Sequence, residues 1–245
     1  MRFETIDDLK NSRDIIKNFL SEYRKLGKIW TPIDIFVISI LNRMSAIDDA
    51  FNELTFDPED SGVAAFPLIR LQLDNLLYCY AGTRVEDLMH LMECFMSEKN
   101  WSSLKDKENG TELKENYLVD CLCKKLDAPV LKKIYKKASD YIHLSTDHLA
   151  ISLSKKGDEP IKTKVEGYDT TSHRNAILNM MVVLNQALFK IIAEDWALYR
   201  IEEHKMLQKL KAEHPELSDL EVIHKYGCTS EKFADLFYKR LRRKE

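Results

Sequence analysis

The chain has 245 residues, 44% of them hydrophobic and 31% charged, with a formal net charge of -3. That is ample apolar material for a core, and the near-neutral balance excludes a broadly basic nucleic-acid coat while leaving room for a local basic patch. With only 7 glycines and 6 prolines, breakers are too scarce for a turn-rich β fold, and long helices are expected.

The opening MRFETIDDLK is acidic and has no apolar h-region, so it does not read as a secretory signal. Residues 6–26 then place Leu9, Ile15, Ile16, Phe19, Leu20 and Tyr23 at helical spacing, with Gly27 as C-cap. Thr31-Pro32 opens a second helix, threonine as N-cap and proline at the first helical position. Its apolar set, from Ile33 through Phe36, Ile40, Met44, Ile47 and Phe51 to Leu54, follows the i, i+3, i+4, i+7 template for six turns. The run Ile35 to Leu41 is too short to span a bilayer, and no membrane association is expected.

A third helix is expected over residues 64–80, interrupted by Gly82-Thr83, and a fourth, methionine-rich, over 84–98. After the polar stretch SEKNWSSLKDKENG come helices at 111–125 and 128–153. The segment SKKGDEPIKTKVEGYD, a loop over 154–170, is too long for an ordinary bundle connection. A Thr170-Thr171-Ser172 cap starts a helix reaching Leu210, about 60 Å if unbroken, and His214-Pro215 stops it. Short helices finish the chain. The fold class is therefore all-α: a multi-helix bundle over 1–210 and a helical hairpin over 211–245.

The cysteines, Cys79, Cys94, Cys121, Cys123 and Cys228, are odd in number and irregular in spacing. Cys121 and Cys123 point to nearly opposite faces of one helix, which does not suit a shared metal. They read as reduced thiols of a cytoplasmic protein, and neither metal nor cofactor is called for.

Two stretches hold polar groups that the helical pattern does not explain. In FPLIRLQLDNLLYCY, Arg70 and Asp74 lie one turn apart among Phe66, Leu73 and Leu77. An exposed pair would contribute little. The arginine precedes the acid, the less favourable order along a helix, and the neighbours leave little solvent-facing surface, so a buried or site-forming pair is expected. Removing that arginine should then cost about 3 kcal/mol or more.

In KKASDYIHLSTDHLA, Ser139, His143 and Asp147 fall at i, i+4 and i+8. Stacked along one helix, they lack the separate segments and oxyanion hole of a hydrolytic triad. Ser145 and His148 form a further polar pair on the side of Ala138 and Tyr141, beside the apolar stripe Leu131, Ile134, Ala138, Ile142 and Leu149. A satisfied structural histidine and a functional seam both fit. Burying these two polar groups against hydrocarbon is costly, so the Arg70 helix and the His143 helix are expected to pack seam against seam.

An all-α order with PLIRLQLDNLLY on one helix and SDYIHLS on a later one resembles the HEPN superfamily, over roughly residues 30–200. It is similar in particular to a bacterial branch in which an arginine helix precedes a Tyr-x-His-x-Ser-like helix. The resemblance implies RNA as partner, a homodimeric cleft, and RNA cleavage in defence or stress, as a ribonuclease or a degenerate one. His143 would be the general acid or base, with Arg70 or Lys137 stabilising the phosphorane and Asp74, Ser139, Tyr141, Ser145 and His148 lining the site.

The family places an arginine four to six residues ahead of its histidine. Here Lys137 or Ala138 stands there, and lysine lacks the bidentate fork that suits phosphate. Arg84 and His90 satisfy the spacing at a helix start without supporting polar residues, as a loose pattern does by chance. Two other readings remain open. A non-catalytic binding or scaffold module would use the polar residues to fix helix register. A DNA-binding regulator would use residues 215–245 as a helix-turn-helix, with KRLRRK meeting phosphate, although Ile223 fills a site that wants a small residue.

Overall fold

The computed structural model describes residues 14–19, 32–54, 61–97, 100–142, 153–154, 162–163, 171–218 and 221–222, with single positions Asn11 and Ser21. Of these, 83% are helical. The helices are α1 (within 14–19), α2 (Pro32–Leu54), α3 (Ser61–Arg84), α4 (Leu88–Met96), α5 (Glu115–Leu126), α6 (Val130–Ile142), α7 (Thr171–Ile191) and α8 (Ala197–Glu213). A π-helical turn, Ile192–Trp196, lies between α7 and α8. Sheet structure among the described residues amounts to two isolated bridges and the antiparallel ladder of β1 (Leu153–Ser154) with β2 (Lys162–Thr163). The protein is an all-α, multi-helix bundle.

Two compact units interleave along the chain. One comprises residues 1–18, 42–77 and 119–189, the other 19–41, 78–118 and 190–245, so α1, α2, α3, α5 and α7 supply residues to both. In the first unit Met44, Phe51, Phe66, Ile69, Leu73, Leu76, Leu131, Ile134, Met181 and Leu188 are buried. Each such side chain contributes roughly 1.5–3 kcal/mol of transfer free energy.

In the second unit the buried set includes Val37, Ile40, Leu91, Leu113, Leu118, Ile192 and Trp196. Phe36 packs its ring against Phe95 and Trp196, with centroids 5.8 and 5.4 Å apart. Tyr78 and Trp101 extend the aromatic cluster.

Several expectations need correction. α3 does not stop at Gly82-Thr83 but continues to Arg84. Glycine is there for space: a Cβ at position 82 would stand 2.5 Å from Trp196 Cζ2. Trp196 Nε1 donates to the Cys79 carbonyl at 3.2 Å, fixing the ring against that turn. Burial pushes the Cys79 thiol well above its ordinary range, against the weaker opposite pull of the Trp196 hydrogen bond, and leaves it inert.

α4 begins at Leu88, not 84, because the Asp87 side chain caps it by accepting from the His90 amide. The helix expected over 128–153 does not include Leu153. That residue pairs with Thr163 in β1–β2, the backbone ladder prevailing over a helix-compatible pattern. The long segment is thus partly a hairpin ladder.

α5 begins at Glu115 rather than 111, and α3 at Ser61 rather than 64, while two boundaries match the sequence. α2 starts at Pro32, and α8 ends at Glu213 with His214 as C-cap. Beyond it Ser218 and Glu221 form a reciprocal capping box, and Val222 is buried with Leu207. Residues 223–245, where a helix-turn-helix was considered, lie outside the described residues, as do 22–31, which include Gly27. By length and composition one described helix, Asn175–Trp196, could cross a membrane, which the sequence reading did not notice; 56% of its apolar window is buried within the structure.

Candidate functional site

The first unit brings together residues 70, 74, 135, 137 and 139. On α3 the apolar stripe Phe66, Ile69, Leu73 and Leu76 is fully buried, and Arg70 and Asp74 sit one turn apart at its edge. On α6 Leu131, Ile134 and Ala138 are buried, leaving Tyr135, Lys137 and Ser139 as flanks.

Arg70 Nε lies 3.1 Å from Asp74 Oδ1, the two side chains being 14% and 19% exposed. Arg70 Nη1 donates to Ser139 Oγ at 3.0 Å. Its guanidinium carbon stands 5.3 Å from the centre of the Tyr135 ring, a cation–π distance. The largely hidden arginine and the seam-to-seam packing of the two helices at Ser139 are therefore present. Two residues before Ser139, Lys137 Nζ lies 5.8 Å from the Phe66 ring centre. Of Tyr141 only the helical backbone is described, and His143, Ser145, Asp147 and His148 lie outside the described residues.

The same unit holds a buried polar chain that the sequence reading missed. Asn185 Nδ2 donates to both Asp48 oxygens, at 2.9 and 2.8 Å. Gln72 Nε2 donates to Asn185 Oδ1, and Asn75 Nδ2 to Gln72 Oε1 at 2.9 Å. All four side chains are essentially inaccessible to solvent. The signal was available: Asp48 is i+4 from Met44, Gln72 is i+3 from Ile69, and Asn185 is i+4 from Met181, so each interrupts an apolar stripe. Asn75 Oδ1 has no hydrogen-bond partner among the described residues.

In the second unit a different arginine is committed to structure. Arg84 Nε and Nη2 reach Asp106 Oδ2 at 2.8 and 2.7 Å, and Nη1 pairs with Glu108. The Tyr117 hydroxyl donates to the same Asp106 oxygen at 2.6 Å, and the Glu108 amide donates to Oδ1 at 2.8 Å. Burial alone would raise the Asp106 pKa, but the Tyr117 hydroxyl, the Glu108 amide and Arg84 together hold it below the usual carboxylate range. The backbone turn beneath runs through Gly110 at φ 71°, left-handed as glycine allows. Arg84 is thus a loop clamp, while His90 is exposed, 3.9 Å from Glu93.

Among the described residues no three His, Cys, Asp or Glu side chains gather as a metal site requires. Cys121 and Cys123 are free and half-buried. In comparisons with known proteins, no family model, curated protein or solved structure matches this chain.

Proposed function

We propose that this is an RNA-directed helical protein, HEPN-like in organisation, whose site is built around Arg70 on α3 and the polar end of α6. The observation that carries the reading is the Arg70–Ser139 hydrogen bond, between residues 69 apart in sequence, at the edge of an apolar helix contact. A guanidinium held at its Nε edge by an acid and at Nη1 by a hydroxyl is preorganised, and a planar fork suits phosphate oxygens. α6 supplies Lys132, Lys133, Lys136 and Lys137 against Asp140 as its single acid, a favourable field for an anionic chain.

If the protein cleaves RNA, His143, one position beyond α6, is the group to move a proton near neutral pH, and Arg70 or Lys137 the charge that meets the phosphorane. Single-stranded RNA incubated with the wild-type chain and with His143→Ala tests this. Cleavage lost in the variant supports a ribonuclease. RNA retained by both, uncleaved, supports a degenerate one. An absence of both binding and cleavage ends the reading.

The buried Asp48–Asn185–Gln72–Asn75 chain favours a second reading, a non-catalytic scaffold or binding module. It links α2, α3 and α7 through directional hydrogen bonds, which fix helix register without any ligand. Asn185→Leu would then abolish partner capture or unique folding while leaving RNA irrelevant.

A further inference from the structure

Asn109-Gly110 stands exposed in the loop that the Arg84–Asp106 clamp holds, and it is the chain's single Asn-Gly dipeptide. Glycine is the successor that most favours attack of its backbone nitrogen on an asparagine side chain, because no Cβ obstructs the approach. We infer that Asn109 is a latent site of spontaneous covalent modification, held shut by the hydrogen bonds that tie its amide to Tyr117 and the Gly110 nitrogen to Asp106. The inference concerns the second unit and is independent of the RNA-directed reading.

In the reaction the Gly110 nitrogen gives its proton to hydroxide or water and bonds to Asn109 Cγ. The Cγ–Nδ2 bond breaks, Nδ2 takes up a proton and leaves as ammonia, and a succinimide ring closes. Water then opens the ring at either carbonyl, leaving an aspartyl or isoaspartyl linkage at position 109. The loop opposes the first two of these steps. The Gly110 amide donates to the Asp106 carbonyl at 2.7 Å, so removing its proton also breaks a hydrogen bond. Asn109 Nδ2 donates to the Tyr117 hydroxyl at 2.9 Å, which ties down the leaving nitrogen. That hydroxyl has no hydrogen to hand to it, because it gives its own to Asp106 Oδ2 at 2.6 Å. One contact acts the other way. The Thr111 amide donates to Asn109 Oδ1 at 2.9 Å, and would steady that oxygen as negative charge forms on it. The dipeptide is therefore activated at the carbonyl and blocked at both nitrogens. The block depends on Asp106, which Arg84 Nη2 holds at 2.7 Å. A carboxylate at position 109 has no hydrogen to offer the Tyr117 hydroxyl, so the loop does not close again as before, and an opened clamp is recorded permanently.

The test holds the full chain in mildly alkaline buffer, folded and in urea. Conversion of Asn109 is followed by peptide mapping with mass spectrometry and by isoaspartate-specific enzymatic methylation. The folded wild type should convert more slowly than the urea-unfolded chain, by about tenfold or more. Tyr117→Phe keeps the ring and removes the acceptor of Asn109 Nδ2. Folded, it should convert about threefold to tenfold faster than the wild type. Equal rates in the folded and unfolded wild type would overturn the inference, and so would a folded Tyr117→Phe that converts no faster. Should Tyr117→Phe not fold, the wild type in sub-denaturing urea decides. Conversion that rises in step with hydrogen exchange of the Gly110 amide supports the inference, and conversion that stays flat while that amide exchanges faster overturns it.

Discussion

Among the described residues each compact unit contains an arginine–aspartate pair, and the two pairs differ in their surroundings. Arg84 and Asp106 are 22 residues apart, the carboxylate is fully buried, and a phenol and a backbone amide complete its acceptor sites. Arg70 and Asp74 are four apart, both remain partly exposed, and the hydroxyl and ring beside them attend the arginine. Similar residues thus make an enclosed clamp in one place and a partly exposed pair in the other. The difference lies in burial: the Asp106 carboxylate is enclosed, whereas both partners of the Arg70–Asp74 pair keep part of their surface in water.

The largest effect should come from breaking the clamp. Asp106→Ala leaves Arg84 with Glu108 and removes the acceptor of Tyr117, so about 3–5 kcal/mol of stability should be lost. Urea unfolding would measure it. A loss under about 1 kcal/mol would show that the pair behaves like an exposed one, and the contrast between the two sites would collapse.

Arg70→Ala should cost less, about 1–3 kcal/mol, because Asp74 is left with access to water and Ser139 loses a single bond. The sequence alone pointed to about 3 kcal/mol or more, on the assumption that the acid was fully enclosed. Its 19% exposure is the reason for the lower figure. The more telling result is the pairing of effects. Under the RNA-directed proposal Arg70→Ala should abolish anion binding with modest destabilisation, whereas Asp106→Ala should destabilise strongly.

How far the sequence showed this is clearest at individual residues. The start at Pro32 and the stop at His214-Pro215 were legible because proline's fixed φ and missing donor act locally. The Arg70–Asp74 pairing was legible because it lies within one helix, and its approach to Ser139 followed from the cost of burying two polar edges apart. Gly82 was misread because glycine marks either a break or a close approach, and only Trp196, 114 positions later, decides between them. Asp48, Gln72 and Asn185 each interrupt an apolar stripe, and nothing local to any one of them shows what it bonds to. Their meaning appears only when three helices meet. The chemistry of His143, Ser145 and His148 rests on the sequence pattern alone.

Acid provides a subtler way to separate the two sites. Asp106 has its pKa lowered on folding, so it contributes stability at pH values above the unfolded aspartate value of about 3.9. That contribution is lost as pH falls through the depressed folded-state value. The wild type should therefore exceed Asp106→Asn in stability at neutral pH, and the gap should narrow below about pH 4. A gap that stays constant from pH 7 to the acid limit would mean that shape and hydrogen bonding, not charge, hold the loop.

The smallest effect should come from a third acid–base pair, which calibrates the other two. Lys132 Nζ lies 2.7 Å from Asp120 Oδ1, closer than Arg70 lies to Asp74, yet the side chains are 68% and 50% exposed. Asp120 raises the Lys132 pKa by its hydrogen bond and its charge, but water competes for both groups and salt screens them. Lys132→Ala should leave the unfolding midpoint within experimental scatter at physiological salt. Under the RNA-directed proposal it should also weaken RNA retention slightly and in a salt-dependent way, since one positive charge leaves the α6 field while Arg70 is untouched. A loss of RNA as complete as that of Arg70→Ala would mean that the lysine field, not the arginine fork, receives the phosphate. The receptor would then have to be moved from the edge of α3 to the exposed face of α6.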